Sequence, residues 1–181
     1  HTPCETTGLP TPAEQQLLAP YAHDLPPGTL GPMTVPPNTN PPGSLRANLL
    51  QARALLQQAG WTVQSGVLRN AQGQALELEY LDSNEGGLRV VAPWQRNLEK
   101  LGIRLRYRAV DFALYQQRLQ KFDFDITSIA YQGTNNPGQE LADLFGSQAA
   151  DQEDSGNFPG VKNPAVDALI DKIVTARTQD E

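Results

Sequence analysis

Two polar segments of the chain carry side chains that could bind a ligand through hydrogen bonds. Residues 82–87 read Asp-Ser-Asn-Glu-Gly-Gly, and residues 131–140 read Tyr-Gln-Gly-Thr-Asn-Asn-Pro-Gly-Gln-Glu. Both combine carboxylate, carboxamide and hydroxyl groups with glycines, which leave backbone amides accessible. Such groups suit a polar, chain-like ligand, although glycine and asparagine in loops also serve simply to permit turns.

The sequence lacks the familiar signatures of an enzyme active site. It contains no G-x-S-x-G, P-loop, G-x-G-x-x-G or H-E-x-x-H motif. Both histidines, His1 and His23, lie in the proline-rich N-terminal part, and nothing fixes the separation of acidic pairs such as Glu85 and Glu140. The single cysteine, Cys4, has no partner for a disulfide or a metal site. We therefore expect a protein without catalytic activity, cofactor or metal.

Composition and charge narrow the class of protein further. The chain has 181 residues, of which 39% are hydrophobic, so it is long enough to form a domain with its own core. No apolar run approaches the roughly 18–20 residues needed to cross a bilayer. The formal net charge of −6 argues against nucleic acid as a partner, because phosphates favour basic surfaces.

Residues 1–43 form a proline-rich segment. Eleven of the 15 prolines of the chain lie here, and they exclude long regular elements because each fixes φ and removes a backbone donor. One short helix is expected, with Thr11 as N-cap and Pro20 as the residue that ends it. The segment also contains apolar residues, such as Leu17 and Leu30, that a linker surrounded by solvent would not need. We therefore expect an arm that packs over the surface of a larger fold.

Helices are predicted where apolar residues recur at helical spacing behind a capping residue. Ser44, Asp111 and Asn163 are the expected N-caps of three such helices. Another helix covers residues 90–101, where Pro93 either kinks it or marks a late start.

Three strands are expected between these helices. Residues 76–80 and 103–108 alternate apolar with polar, and residues 124–130 are more continuously apolar. The helices between them are crossovers long enough to force parallel strands. Residues 44–181 therefore predict an α/β lobe, with an open, mainly parallel sheet and helices packed on it. Ligands bind outside the carboxyl ends of such strands, where the two polar segments lie.

The second of these strands has one basic face, formed by Arg104, Arg106 and Arg108. Such a face could bind phosphate. Acidic residues on a neighbouring strand, Glu77 and Glu79, favour a simpler interpretation, in which the arginines form cross-strand ion pairs.

Five short strings in a fixed order resemble the C-terminal lobe of the dipeptide- and oligopeptide-binding receptors of ABC importers, which are solute-binding protein family 5. They are LLQARALLQQAGW at 49–61, WQRNLEKLGI at 94–103, FDFDI at 122–126, the Asn136-Pro137 pair, and NPAVDALI at 163–170. Two further strings, LPTPAEQQLLAP at 9–20 and FGSQAA at 145–150, resemble the subgroup associated with uptake of microcin C and formylated peptides.

This resemblance implies a class II, two-lobed binding protein in the periplasm or outside the cell. Such a protein closes on a peptide and delivers it to ABC permease subunits in the membrane. On this interpretation the 181 residues are part of one lobe. The leader, the N-terminal lobe and the last strands through the hinge are absent from the chain. Residues 1–43 are then the family's connection running over the lobe.

The residues expected to contact the peptide lie in the polar loops. They are Tyr131, Gln132, Thr134, Asn135 and Asn136, then Asp82, Asn84 and Glu85, and finally Asn157 from the loop at 155–158. Residues 131–136 depart from the family, because well-known oligopeptide receptors have an aspartate there that meets the α-ammonium group of the peptide. Burying an unpaired ammonium group is costly. A free N-terminus is then anchored elsewhere, or the ligand carries a blocked one.

Three alternatives stay open at the level of sequence. The first is a receptor for another solute, such as a nickel chelate or a glycan. The second is a hydrolase or transferase that uses acidic residues. The third is an interaction scaffold, which would have a stable protein partner and no small ligand.

Overall fold

A computed structural model describes residues 8–32, 37–131 and 137–176. These residues fall into two units, one built from 37–130 and the other from 8–32 together with 131 and 137–176. Among the described residues, no helix has the length and apolar character that a membrane crossing requires. The elements in chain order are α1 (Pro12–Leu18), α2 (Leu45–Gln58), β1 (Thr62–Gln64), β2 (Val67–Arg69), β3 (Glu77–Asp82), α3 (Leu88–Glu99), β4 (Arg104–Ala109), α4 (Phe112–Gln120), β5 (Ile126–Thr127), α5 (Glu140–Phe145) and α6 (Pro164–Thr175).

The unit of residues 37–130 is built on a three-stranded parallel sheet in the order β4-β3-β5. The central strand β3 places Tyr80 beside Tyr107 of β4 and beside Ile126 of β5. Helices α3 and α4 are the crossovers that return the chain to the same end of the sheet. The predicted α/β fold with a parallel sheet is therefore confirmed.

One strand is shorter than the sequence indicated. The apolar segment 124–130 predicted a full strand, whereas only Ile126–Thr127 pairs as β5. Within the described residues β5 has a single neighbour, β3, and a strand needs a backbone partner to be hydrogen-bonded along its length. No residue of 124–130 is fully buried, so the expectation of a strand covered on both faces is wrong as well.

The hairpin of β1 and β2 packs with α2 beside the sheet. Ser44 begins α2, because its side chain accepts a hydrogen bond from the backbone N–H of Ala47 at 3.1 Å. Leu68 is buried in a cluster with Leu101 and Ile103, and apolar residues of α2 pack against this cluster. The N-cap residue and the spacing of apolar residues therefore suffice to predict helix α2 and the face that it buries.

Helix α3 covers one face of the sheet. Its Val91 packs with Tyr80 of β3 and Leu105 of β4, and all three side chains are buried. The helix begins at Leu88, before Pro93, so the expectation of a late start at this proline is wrong. Pro93 lies inside the helix, where it removes one backbone donor from the hydrogen-bond ladder.

The opposite face of the sheet carries ion pairs. Arg104 and Arg106 contact the carboxylate of Glu77 at 2.8 and 3.0 Å, and Arg108 contacts Glu79 at 3.4 Å. These pairs confirm the interpretation of the basic face as a cross-strand ladder. Exposed pairs of this kind contribute little to stability, at most about 1 kcal/mol each.

One residue of this charged face comes from a helix, so the alternation of residues along the strands could not predict it. Arg118, on α4, donates to Glu79 of β3 at 2.7 Å and to Asp123 at 2.8 Å. Its side chain is only 15% exposed, so this residue ties α4 to the sheet more firmly than an exposed pair would.

The second unit contains residues 8–32 of the proline-rich segment and the C-terminal helices. Helix α1 has the predicted capping box, in which Thr11 and Glu14 satisfy each other's backbone amides. Helix α6 begins after Asn163, whose side-chain oxygen accepts from Ala165 N at 2.8 Å. The amide nitrogen of the same side chain donates to the carbonyl oxygen of Asp24 at 2.7 Å. One hydrogen bond thus joins residues 8–32 to the C-terminal part, as an arm packed on the lobe requires, although the arm itself stays a prediction.

The buried cluster around Leu68 yields a stability prediction. Leu68→Ala removes a side chain that is 1% exposed, so it leaves a cavity, and we expect the free energy of unfolding to fall by about 2–5 kcal/mol. Leu55→Ala in the same unit is the control, since Leu55 is 57% exposed and its loss should change the value by less than about 0.5 kcal/mol. Urea denaturation measures both variants. Equal unfolding midpoints would contradict this assignment of the core.

Candidate ligand-binding site

The carboxyl end of the central strand β3 is held by a tyrosine from the neighbouring strand. Tyr107 of β4 donates its hydroxyl proton to Asp82 Oδ2 at 2.6 Å, and this hydroxyl also contacts the backbone carbonyl of Asn84. The other carboxylate oxygen, Asp82 Oδ1, accepts from the backbone N–H of Asn84 at 3.0 Å. A hydrogen bond between a hydroxyl and an ionised carboxylate is stronger than one between neutral groups. The start of the loop is therefore fixed on both carboxylate oxygens.

Asn84 then turns the chain into α3. Its side-chain oxygen accepts from the backbone N–H of Gly86 at 2.8 Å, and its carbonyl accepts from Gly87 N at 3.2 Å. These bonds cap a short 3₁₀ turn that runs directly into α3. The Asp82–Gly87 segment, which was predicted to be an open polar loop, is thus an ordered turn.

A second tyrosine lies beside the first. The rings of Tyr80 and Tyr107 stack with centroids 5.5 Å apart and planes 18° from parallel. The Tyr80 hydroxyl bonds to the hydroxyl of Ser128, just after β5. Each tyrosine thus leans along its strand and reaches the carboxyl end of the next strand in the sheet.

Gly87 is required by the close approach of these groups. A Cβ atom at this position would lie 2.3 Å from Asp82 Oδ2 and 2.3 Å from the Tyr107 hydroxyl. No side chain can enter that space unless the hydrogen bond between the two residues breaks. The glycine at the start of α3 is therefore part of the same arrangement.

The environment of Tyr107 raises the pKa of its hydroxyl well above the ordinary value. Burial is the main cause, because it disfavours the phenolate, and the hydrogen bond to the carboxylate of Asp82 acts in the same direction. A tyrosine hydroxyl is protonated at physiological pH in any case, so the shift extends its role as a donor into the alkaline range.

Two polar groups of this segment point away from the internal network. Glu85 is exposed, and no ion pair to its carboxylate occurs within residues 8–32, 37–131 and 137–176. The Asn84 amide nitrogen Nδ2 has no hydrogen-bond partner among the same residues, whereas its oxygen is used in the turn. A carboxylate and a carboxamide N–H₂ group are therefore available to a ligand at the carboxyl edge of the sheet.

The candidates from the second polar loop are only partly described. Tyr131 is 38% exposed; its hydroxyl donates to the carbonyl of Gly156 at 3.2 Å, and its ring packs on Phe145 with centroids 5.6 Å apart. Burial of the hydroxyl raises the pKa of Tyr131. The other candidates of this loop, Gln132, Thr134, Asn135 and Asn136, lie outside the described residues.

Asn157, the remaining candidate, is fully buried and stabilises its own loop. Its amide nitrogen donates to the carbonyls of Gly146 and Val161 at 3.0 Å each, and its side-chain oxygen accepts from Val161 N at 2.9 Å. All hydrogen-bonding groups of the side chain except one oxygen lone pair are thus used within the chain. The geometry gives this residue a structural role.

The second unit also contains a cleft of about 440 Å³ between α5 and α6. None of the residues predicted to bind ligand lines it. The carboxylate of Asp143 accepts from Gly156 N at 3.0 Å, and that of Asp167 accepts from Ser147 N at 2.8 Å, so both serve the loop between the helices. Among the described residues, no group of three or more His, Cys, Asp or Glu side chains could hold a metal ion.

The α/β fold and the polar carboxyl edge are those of one lobe of a solute-binding protein. A model of the family described as bacterial extracellular solute-binding proteins, family 5 Middle, matches residues 17–153. The chain belongs to this family. The resemblance found in the sequence is therefore confirmed at the level of the family, whose fold is that of binding proteins rather than of enzymes.

Two curated relatives from Agrobacterium fabrum are similar over nearly the whole chain. The protein named "Probable peptide-binding protein YejA" is 38% identical over 177 residues, which are 97% of this chain and 29% of the relative. The protein named "Peptidoglycan-binding protein YepA" is 30% identical over 168 residues, which are 93% of this chain and 27% of the relative. The chain thus spans less than a third of the length of either protein.

A solved structure shows the same fold. The periplasmic oligopeptide-binding protein of Thermotoga maritima, determined with bound mannohexaose, superimposes with a TM-score of 0.59 at 20% identity. The match covers 72% of this chain and 26% of that protein. At this level of identity the likeness concerns the fold alone.

The contact at Gly87 yields a prediction with a matched control. Gly87→Ala forces a methyl group onto the bond between Tyr107 and Asp82, and we expect the free energy of unfolding to fall by about 1–3 kcal/mol. Gly86→Ala changes backbone freedom in the same way but meets only the Asn84 side chain, at 3.1 Å, so its cost should be clearly smaller. Urea denaturation measures the free energy of unfolding of both variants. An equal loss in the two would refute the close approach of Gly87 to Asp82 and Tyr107.

The raised pKa of Tyr107 yields a prediction about pH. The fold favours the protonated hydroxyl, so its stabilisation is fully present below the ordinary tyrosine pKa of about 10 and is lost as the pH rises above that value. We expect the free energy of unfolding to decline less steeply between about pH 10 and 12 in Tyr107→Phe than in the wild type. Denaturation at a series of pH values measures the two slopes; indistinguishable slopes would count against the buried donor.

Proposed function

We propose that this chain is part of an extracytoplasmic receptor that captures oligopeptides and delivers them to an ABC importer. The observation that carries the proposal is the 38% identity, across 97% of the chain, to a relative named as a peptide-binding protein. Membership in a family of extracellular solute-binding proteins supports a location outside the cytoplasm. Permease subunits in the membrane are the partners that such a receptor requires.

The carboxyl edge of the sheet supports a ligand with many hydrogen-bonding groups. Asn84 offers a carboxamide N–H₂ group to a peptide carbonyl, and Glu85 offers a carboxylate to an ammonium or guanidinium group. Asp82, by contrast, is occupied by Tyr107, so its role is to shape the edge. In the other unit, Tyr131 offers the exposed part of its ring, and the contacts predicted at Gln132, Thr134, Asn135 and Asn136 remain part of the proposal.

The proposal also has to explain how the N-terminus of the peptide is bound. Residues 131–136 contain no carboxylate for an α-ammonium group. We propose that either Glu85 supplies the charge or the ligand is N-terminally blocked, as in the microcin C and formylated-peptide subgroup suggested by residues 9–20 and 145–150. A formylated N-terminus carries no charge, so it can be buried without a paired carboxylate.

A second candidate ligand follows from the relative named as a peptidoglycan-binding protein, at 30% identity over 93% of the chain. Cell-wall fragments combine a peptide with sugars. The same carboxamide and carboxylate groups could bind the peptide part of such a fragment, so the two candidates share their chemistry at this edge. They differ in the presence of sugar.

Mass spectrometry of ligands that co-purify with the complete protein carrying this chain separates these candidates. Linear peptides support the first, and peptides attached to amino sugars support the second. A metal chelate or a free glycan would refute both, as would steady turnover of the bound molecule.

A calorimetric comparison tests whether this lobe is sufficient. Closure of two lobes supplies most of the burial in a hinged binding protein. We therefore expect the isolated 181-residue chain to bind the co-purified peptide at least about 100-fold more weakly than the complete protein. Micromolar or tighter binding by the isolated chain would contradict this expectation.

A further inference from the structure

The stacked tyrosines connect the three strands of the sheet on one face and reach the carboxyl ends of two of them, β3 and β5. Tyr80 and Tyr107 are register partners, so their side chains leave the sheet on the same side. Tyr107 starts on β4 and reaches Asp82 at the end of β3, while Tyr80 starts on β3 and reaches Ser128 after β5. Both side chains thus extend in the same direction across the sheet, and each contacts a residue at the end of the neighbouring strand.

This arrangement makes the position of one loop depend on the other. The hydroxyl of Tyr107 holds the turn at 82–87, and the hydroxyl of Tyr80 holds the side chain of Ser128, just after β5. Because the rings are stacked at 5.5 Å, a shift of either ring displaces its neighbour. The segments at both strand ends are thus braced by one pair of side chains.

Neither hydroxyl is placed to be a main ligand contact. The Tyr107 hydroxyl lies against Asp82, Asn84 and the backbone of Gly87, and a methyl group on Gly87 would already collide with it. Tyr80 is only 8% exposed. The groups that face outward are on Asn84 and Glu85, which the tyrosines hold in place.

We infer that Tyr80 and Tyr107 are positioning residues that keep the turn at 82–87 and the segment after β5 in the conformation that binds ligand. This inference rests on the proposed function, in which the carboxyl edge of the sheet receives the peptide. A hydrogen bond to a charged group is worth roughly a tenfold to hundredfold shift between ordered and open states of the turn.

The expected effect of losing this bond is on the rate of association. If only a fraction of the protein has the turn in the binding conformation, the apparent association rate falls by that fraction, while dissociation from the ordered complex is unchanged. A side chain that touched the ligand directly would instead accelerate dissociation when removed. The two rate constants therefore separate positioning from direct contact.

The matched control is a third tyrosine on the other face of the sheet. Tyr115 of α4 has its hydroxyl 3.1 Å from Thr127 Oγ1, and Thr127 donates to the carbonyl of Leu81. Tyr115→Phe removes the same atom as Tyr107→Phe in the same unit, and with it the contacts to Thr127 and to the carbonyl oxygen of Ser128, 3.5 Å away. It leaves the turn at 82–87 untouched.

The experiment measures the association and dissociation rates of the peptide that co-purifies with the complete protein, by stopped-flow fluorescence. It compares the wild type with three variants, Tyr107→Phe, Tyr80→Phe and Tyr115→Phe. We expect Tyr107→Phe to slow association about tenfold with dissociation unchanged within about twofold. Tyr80→Phe should act in the same direction. Tyr115→Phe, which loses a contact to Ser128 but none to the turn at 82–87, should slow association less than Tyr107→Phe does. Unchanged association in both Tyr107→Phe and Tyr80→Phe, or faster dissociation alone, would overturn the inference.

Amide hydrogen exchange, measured without ligand, reports on the order of the turn at 82–87 independently of binding. We expect the backbone amides of residues 84–87 to exchange faster in Tyr107→Phe than in Tyr115→Phe or the wild type, since their turn is less often closed. Equal exchange in all three proteins would overturn the inference even where the variants fold normally. A wild type that binds no peptide would instead refute the proposed function, and the exchange data would still decide whether the tyrosines order the turn.

Discussion

The carboxylate of Asp82 ends the central strand of the sheet at a half-buried position, and an ionised group there has to be satisfied. It is satisfied by one hydroxyl, from Tyr107, and by one backbone amide, from Asn84. This requirement fixes much of what surrounds it: the turn into α3, the glycine at 87 that leaves room for both partners, and the stacking of Tyr107 on Tyr80. The geometry of the carboxyl edge therefore depends on a single charged hydrogen bond.

The two faces of the sheet carry different kinds of side chain. One face carries exposed arginine–glutamate pairs and the half-buried Arg118, and its bonds hold the strands and α4 together. The other face is apolar near its middle and becomes polar only where the tyrosines reach the strand ends. The polar groups proposed to bind ligand lie at the carboxyl edge, where a parallel sheet offers a crevice outside its strands.

Local signals in the sequence were sufficient for most of the fold. The caps at Ser44, Asp111 and Asn163 placed their helices correctly, because an N-cap acts within three residues. The partnership of Tyr107 with Asp82 spans 25 residues and depends on strand register, which alternation alone does not provide. The polar turn was therefore recognised from its composition, whereas the tyrosines that brace it were not. Tyrosines at paired strand positions just before a polar loop would have been the available signal.

The most direct test of the central claim is a crystal structure of the complete protein with the ligand that co-purifies with it. We expect a peptide chain at the carboxyl edge of the sheet, within hydrogen-bond distance of Asn84 or Glu85, while Tyr107 retains its bond to Asp82. A ligand bound on the arginine face or in the cleft between α5 and α6, with nothing at the carboxyl edge, would contradict the account.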